Sequence, residues 1–294
     1  MSKSGSLVSV GLPVYNGAPA IADAIAAVLA QTHEQLELVI SDNASTDETR
    51  EICEEIAKTD KRVRFSRNEV NEGATANFNK VFTLSTGGYF KWLGHDDFLD
   101  PSALELAVAE IESRPDTSIV HWLERMVYDN GDVLREYTAS QGFQIDGETA
   151  GSRFRQMLLW RHHGFGGDPF FGLIRREALE ATRLQGRGIN PNYLLMQELS
   201  LTGKFYTIPE VLAVRIYNDV RVTAPGMIRW LDPSGKVGYP HFRKAREYFR
   251  VGLRHGTMSP ADRMVTGLTL VGYYMHPREL KGLAWDLTRG RRDA

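Results

Sequence analysis

A chain of 294 residues that is 42% hydrophobic and 24% charged has the composition of an ordinary soluble globular protein with ample core. Its formal net charge of −2 gives no bulk electrostatic reason to expect nucleic acid as a partner. The one cysteine, Cys53, excludes an intrachain disulfide and fits a reducing compartment. The N-terminal MSKSGS has no apolar leader, and no apolar run approaches the roughly 20 residues a membrane span needs. A cytoplasmic protein is expected. Charge is uneven: from residue 221 onward 14 Lys and Arg stand against 6 Asp and Glu.

Residues 7–12 (LVSVGL) read as a first strand, and the turn-rich PVYNGAP follows. Ile21, Ile25, Val28 and Leu29 then share one helical face. A second strand at 36–41 runs into DNASTDET, where Ser45 and Glu48 have the spacing of a capping box. Residues 62–66 give a short third strand, followed by a polar loop and a helix over 75–85 with Phe78, Val81 and Phe82 inward. A strand at 89–93 and a helix over 101–112 complete the series, with Asp100 expected as N-cap and Pro101 as first helical residue. Strands and helices alternating through short loops imply a mostly parallel sheet covered on both faces. Ligands of such sheets bind where loops leave the carboxyl ends of strands. The loops at 13–19, 42–48 and 94–100 should therefore converge on one crevice.

Beyond Arg114-Pro115 the pattern changes. Residues 118–123 and 125–128 read as strands joined to a DNGD turn at 129–132, and a helix is expected around 152–160. A glycine-rich, aromatic segment (RHHGFGGDPFFG) follows, then a helix over 194–202 and strands at 204–208 and 211–216. From about Trp230 the chain reads as helical to its end. Phe242, Ala245, Phe249 and Leu253 make one stripe, Met264, Leu268 and Val271 a second, and Leu280, Leu283, Ala284 and Leu287 a third.

The chemistry concentrates in YFKWLGHDDFLDP (89–101), where an aromatic run stops at Gly94 and two carboxylates follow, Asp96 and Asp97. Two carboxylates at the end of a buried strand need neutralising, and a hard divalent cation shared with a phosphate would do this. Taken alone, the pair is equally a solvated turn capping the next helix. There is no P-loop, and no GxGxxG follows the first strand, so ATPase and dehydrogenase readings lose support.

Read together, VSVGLPVYNGAPAIADAIAAVLAQTHEQLELVISDNASTDET, RFSRNEVNEGATANFNKVF and GGYFKWLGHDDFLDP resemble the nucleotide-binding half of bacterial family 2 glycosyltransferases, which have the GT-A fold. The likeness is close over residues 5–115 and continues loosely to about 217. It implies an α/β GT-A domain with a nucleotide-sugar-binding half at 1–115, an acceptor-binding half at 116–228 and a helical extension at 229–294. It further implies inverting transfer of a sugar from a nucleotide-diphosphate donor to a saccharide or lipid-linked acceptor, as in polysaccharide biosynthesis. By the same resemblance, Pro13, Tyr15 and Asn16 lie against the base and Asp42 hydrogen-bonds it. Asn43 stands where many members have a second Asp. Asn71, Gly73 and Asn77 pass the ribose and sugar. Asp96 matches the last Asp of the family's Asp-X-Asp motif and would hold Mg²⁺ or Mn²⁺ on the diphosphate, with Asp97 following as it does in the family. A metal there acts as a Lewis acid on the leaving group.

Three positions depart from the family pattern. Gly94 replaces the leading Asp of Asp-X-Asp. Asn192 falls where the inverting general base is expected, and a neutral amide cannot take the acceptor's proton. Tyr217 replaces a His that often follows the last strand. Asp168 and Glu198 are the substitute bases the sequence offers; each is also readable structurally, Asp168 as a loop cap and Glu198 as an ion-pair partner. His95 reads as a loop group, and adjacent His162 and His163 lack partners at zinc spacing. Two rival readings follow: a nucleotide-sugar-binding pseudoenzyme, and a sugar nucleotidyltransferase, which should carry a basic glycine-rich first loop. In the tail, Arg278, Lys281, Arg289, Arg291 and Arg292 lie among Leu280, Leu283, Trp285 and Leu287. That pattern allows peripheral contact with the inner face of a membrane, or packing on the body or another subunit.

Overall fold

The computed structural model describes residues 6–128, 130–138, 144–160, 168–186, 190–216, 230–231, 233, 239–254, 256 and 258–289, with only the backbone of 254 and 289. His162, His163, Tyr217, Arg291, Arg292, the side chain of Arg289 and the first residue of the DNGD turn lie outside this description.

Four parallel strands, β1 (Val8–Val14), β2 (Leu36–Asp42), β3 (Val63–Arg67) and β4 (Tyr89–Trp92), stand in the order β3-β2-β1-β4. Every residue of β1, β2 and β4 is buried, as expected of parallel strands covered on both faces. Helices α1 (Ile21–Leu29), α2 (Thr49–Thr59) and α4 (Ala103–Ser113) share a core with Val8, Val10, Leu12 and Val14. Helix α3 (Ala74–Leu84) packs on the opposite face, its Val81 and Phe82 against Val39, Phe90 and Trp92. Cys53 of α2 is fully buried, and burial pushes its thiol up to about 12.

The sheet continues beyond residue 115. Its remaining strands are β5 (Phe98–Leu99), β6 (Thr117–Val127), β7 (Val133–Glu136), β8 (Leu173–Arg175) and β9 (Lys204–Ile216). The order is β3-β2-β1-β4-β8-β6-β9-β5, with β7 paired to β6. Strand β8 is antiparallel to both β4 and β6, β9 is parallel to β6, and β5 is antiparallel to β9. The expected strand pairs at 118–128 and 204–216 are thus two continuous strands, their breaks being register shifts at Trp122/Leu123 and Leu123/Glu124. On the far face α5 (Ala150–Trp160), α6 (Arg176–Glu180) and α7 (Pro191–Thr202) complete the second core.

Two expected caps are built differently. Ser45 makes no capping box; α2 begins at Thr49, and Ser45 accepts from the Asn16 N–H instead (2.8 Å). Helix α4 begins at Ala103 with Pro101 in the preceding turn, where Asp100 Oδ1 accepts from the Ser102 N–H and hydroxyl. The short strand β5, which the sequence reading did not anticipate, occupies the space before that turn.

Helices α8 (Pro240–Arg254), α9 (Pro260–Tyr274) and α10 (Pro277–Arg289) form the C-terminal layer. Tyr248, Val251, Leu270, Tyr273 and Tyr274 join Phe154, Leu158 and Leu201 in a third core. The stripe read on α9 faces outward: Met264, Leu268 and Val271 are exposed, while Thr266, Leu270, Tyr273 and Tyr274 are buried. Phe242, Leu280 and Leu287 are also exposed, whereas Ala245, Phe249 and Leu283 do pack on the body. Among the described residues no helix is long and apolar enough to cross a membrane.

Candidate functional site

Register decides which loops meet. Val14 pairs with Asp42, so the chains leaving β1 and β2 depart side by side, and the Asn43 N–H donates to the Val14 carbonyl (2.8 Å). The two loops are then tied together. The Thr46 N–H donates to Asn16 Oδ1, the Gly17 N–H to Thr49 Oγ1, and the Ala18 N–H to Asp47 Oδ2.

The polar segment after β3 joins them through Asn43. Its Oδ1 accepts from Asn68 Nδ2 (2.8 Å) and the Glu72 N–H (3.0 Å), and its Nδ2 donates to Asn71 Oδ1 (2.9 Å). Asn71 Oδ1 also accepts from the Gly73 N–H (2.9 Å). A carboxylate at position 43 could not make the donation to Asn71, so the amide is matched to this loop. Gly73 has φ +87°, and a Cβ there would lie 2.6 Å from the Leu231 carbonyl oxygen, so both conformation and close approach require glycine. Asn77 Nδ2 donates to the Ser41 carbonyl (2.8 Å), fixing α3 to the end of β2.

These loops and the one after β4 enclose a cavity of about 300 Å³. Of the expected site residues, Pro13, Tyr15, Asn43, Asn71, Asn77, Asp96 and Asp97 line it, together with His95. Asn16 and Gly73 do not; they shape the walls. Asp42 is set back from the cavity lining: its side chain is fully buried, Oδ1 accepting from the Ser45 N–H (2.9 Å) and Oδ2 pairing with Arg67. The cause is again register, since Asp42 and Arg67 are direct partners on β2 and β3. Asn43, one residue on, is presented to the cavity in its place.

At the other end, Asp97 Oδ2 accepts from the Gly94 N–H (3.2 Å) in a tight turn. A Cβ on Gly94 would lie 2.8 Å from Asp97 Oδ2 and 3.1 Å from Asp96 Oδ1, so a larger residue at the first position of GHDD would require these two carboxylates to shift. Asp96 is half-buried, and burial raises its carboxyl, with His95 opposing and Asp97 adding to the rise. Among the described residues no three His, Cys, Asp or Glu side chains converge on a metal position. The arrangement fits a cation sharing one protein carboxylate with phosphate oxygens and water, not one caged by protein alone.

A second cavity, also about 300 Å³, shares Phe78, Phe171, Arg215 and Trp230 with the first. Asp168 and Asn192 both line it, with Asn190 and Tyr193. Asp168 caps the short turn Pro169–Phe171 by accepting from the Phe170 N–H (3.1 Å). Burial raises its carboxyl, with Arg215 opposing. Glu198, the other substitute base, lines neither cavity; it accepts from the Arg183 N–H (2.8 Å) and pairs with the Arg183 guanidinium. Its carboxylate is committed to holding the segment after α6 against α7.

Between the cavities lies a charged cluster that sequence reading missed. Strand β5 follows Asp97 directly and pairs with β9 just before Arg215, which sets Arg215 Nε 3.6 Å from Asp97 Oδ1. Arg215 Nη1 is 3.5 Å from Glu124 Oε2, and the guanidinium stacks over Phe171 at 4.2 Å. Burial pushes Glu124 up to about 7, Arg215 opposing. Lys91 is buried, donates to the Phe171 carbonyl and lies 4.7 Å over the Trp122 ring. Burial lowers it to about 8, Asp97 and Glu124 opposing. A signal existed: Lys91 interrupts YFKWL and Arg215 interrupts VLAVRIY, and a cation inside a buried strand needs a partner.

A doubly covered sheet with a carboxylate-bearing crevice at its strand ends, extended by a mixed second half, is the GT-A architecture of nucleotide-sugar enzymes. Residues 9–183 match the family model described as Glycosyl transferase family 2, and the chain belongs to that family. Chondroitin synthase of Escherichia coli is 34% identical over 128 residues, 44% of this chain and 18% of that protein. The S. aureus TarS 1–349 structure in complex with UDP-GlcNAc superposes with TM-score 0.69 at 17% identity, covering 96% of this chain and 76% of that one. Mannosyltransferase PcManGT from Pyrobaculum calidifontis, in complex with GDP-Man and Mn²⁺, gives TM-score 0.59 at 17% identity over 97% and 74%. The matches to the first curated relatives span only 14%, 38% and 18% of their lengths.

Proposed function

We propose that this chain transfers a sugar from a nucleotide-diphosphate donor held in the first cavity to a saccharide or lipid-linked acceptor in the second, with inversion. The observation that carries this reading is that Tyr15, Asn43, Asn71 and Asp96, from four separate loops, line one cavity that opens beside Asp168 and Asn192. Complexes of the fold neighbours with UDP-GlcNAc and with GDP-Man and Mn²⁺ support a donor of that class.

Tyr15 and Pro13 offer a surface for the base, and the amides of Asn43 and Asn71 a polar edge beside it. Asp42 serves this site from behind, holding the loop through Ser45 and Arg67. Asp96 would hold Mg²⁺ or Mn²⁺ through the donor diphosphate; when bound, the cation neutralises charge developing on the leaving group. Arg215, at the junction, adds fixed positive charge toward the same phosphates. An acceptor oxygen attacks the anomeric carbon from the second cavity, the bond to the β-phosphate oxygen breaks, and nucleoside diphosphate departs. The acceptor proton passes to Asp168, the carboxylate that lines the second cavity beside Asn192 and whose proton affinity burial raises. Asn192 orients the acceptor hydroxyl.

Thermal stabilisation by uridine, guanosine and thymidine diphosphates, with and without Mn²⁺, tests the reading. One base should raise the melting temperature, more with Mn²⁺, since a ligand at about 100 times its Kd adds about 2.7 kcal/mol. No shift with any of the three counts against a donor site. A shift without sugar transfer or hydrolysis favours the pseudoenzyme reading that Asn192 raises.

A further inference from the structure

Helix α9 is apolar on two sides, and the body uses only one. Its buried side, with Leu270, Tyr273 and Tyr274, joins the third core. Met264, Leu268, Val271 and Met275 project from the other, each more than half exposed and spaced four, three and four residues apart. That spacing makes a single stripe, and Val265 widens it. Leu280 and Leu287 of α10 are exposed as well. Four side chains along one helical stripe, each more than half exposed, differ from the scattered single hydrophobics that a monomeric surface ordinarily carries.

Charge on these two helices is sorted by side. All three of their acids are turned inward. Asp262 lies 3.5 Å from Arg155, Glu279 accepts from Lys244 (2.6 Å) and Tyr273 (3.1 Å), and Asp286 accepts from the Phe242 N–H (2.8 Å). The cations Arg263, Arg278 and Lys281 are exposed. Among the described residues of α9 and α10, the outer side therefore offers apolar groups and positive charge, and no exposed carboxylate.

We propose that this outer side rests on an anionic lipid surface, with the Met264–Met275 stripe entering the headgroup boundary and Arg278 and Lys281 meeting lipid phosphates. At about 1.5 Å per residue α9 is ~22 Å long and lies along such a surface without crossing it. Charge selects lipid over a second copy of the chain. A twofold contact through this stripe would bring the same cations of both copies together, with no exposed carboxylate on either helix to receive them. The proposal does not rest on the sugar-transfer reading, and its test uses binding alone.

The full chain is sedimented with vesicles of phosphatidylcholine, or of equal parts phosphatidylglycerol and phosphatidylcholine, at low and high salt. Binding to the anionic vesicles should exceed that to neutral ones by about tenfold or more and weaken with salt. Leu268→Glu, an exposed substitution whose folding is checked by circular dichroism, should abolish it. Arg278→Ala combined with Lys281→Ala should weaken it by roughly fivefold per cation removed. Absence of anionic-vesicle binding, or binding unchanged by Leu268→Glu, overturns the proposal. So does a dimer in sedimentation velocity that Leu268→Glu converts to monomer, which would assign the stripe to a second copy.

Discussion

Arg215 Nε stands 3.6 Å from Asp97 Oδ1, where the turn that carries Asp96 meets the strand separating the two cavities. With Glu124 3.5 Å from Nη1, one guanidinium serves two carboxylates whose side chains are less than one-tenth exposed. Burial works against charge on Arg215, but Glu124, Asp97 and Asp168 outweigh it and hold the guanidinium above its ordinary value.

Arg215→Met should therefore destabilise the fold by roughly 2–3 kcal/mol, less than for a sealed pair because part of the side chain reaches solvent. Adding Glu124→Gln should recover part of that loss. Denaturant midpoints across the four-protein cycle measure the coupling, and strict additivity would show that the pair does not interact.

Glu124 also makes stability depend on pH. Its folded-state value of about 7 lies above the ordinary 4.5, so its contribution is fully present below 4.5 and is lost as pH rises through 7. The loss is at most on the order of 3 kcal/mol. Asp96 and Asp168 are shifted in the same direction, so the difference between the native chain and Glu124→Gln isolates this group. Melting curves at pH 5 and 8 should converge for the variant relative to the parent.

Asn43→Asp restores the acid that many family members carry and should not improve this protein. A carboxylate would face Asn71 Oδ1, and flipping the Asn71 amide would deprive the Gly73 N–H of its acceptor. A cost of about 1–3 kcal/mol is expected, with weaker nucleotide binding. Chemical denaturation and nucleotide titration check the two effects separately.

Asp168→Asn should reduce turnover by about 10² to 10⁴-fold while leaving donor affinity within twofold. Asn192→Asp, placing a second acid in the same cavity, should raise turnover if that position retains access to the acceptor. Equal kcat for Asp168→Asn and the parent would remove Asp168 as the base.

The parallel half was legible because each buried strand ends in a turn signal and each helix has one apolar face. The second half was less so: β6 and β9 carry bulges that break alternation, and the two-residue β5 lies below any periodicity. Periodicity finds an apolar stripe without saying whether the protein body covers it, and on α9 the body covers the other side. At the site, the converging loops were readable, but the roles within them depend on register. Asp42 sits opposite Arg67 on a neighbouring strand, a pairing no local pattern reveals. Asp168 and Asn192 are 24 positions apart, and only the fold brings them to one cavity.

Calorimetric titration of a nucleotide-diphosphate sugar into the parent and Asp96→Ala, with and without Mn²⁺, tests the donor site most directly. The parent should bind with an affinity that Mn²⁺ increases, and Asp96→Ala should lose that increase while remaining folded. Indistinguishable metal-dependent titrations for the two proteins would contradict the assignment of Asp96 and of the cavity it lines.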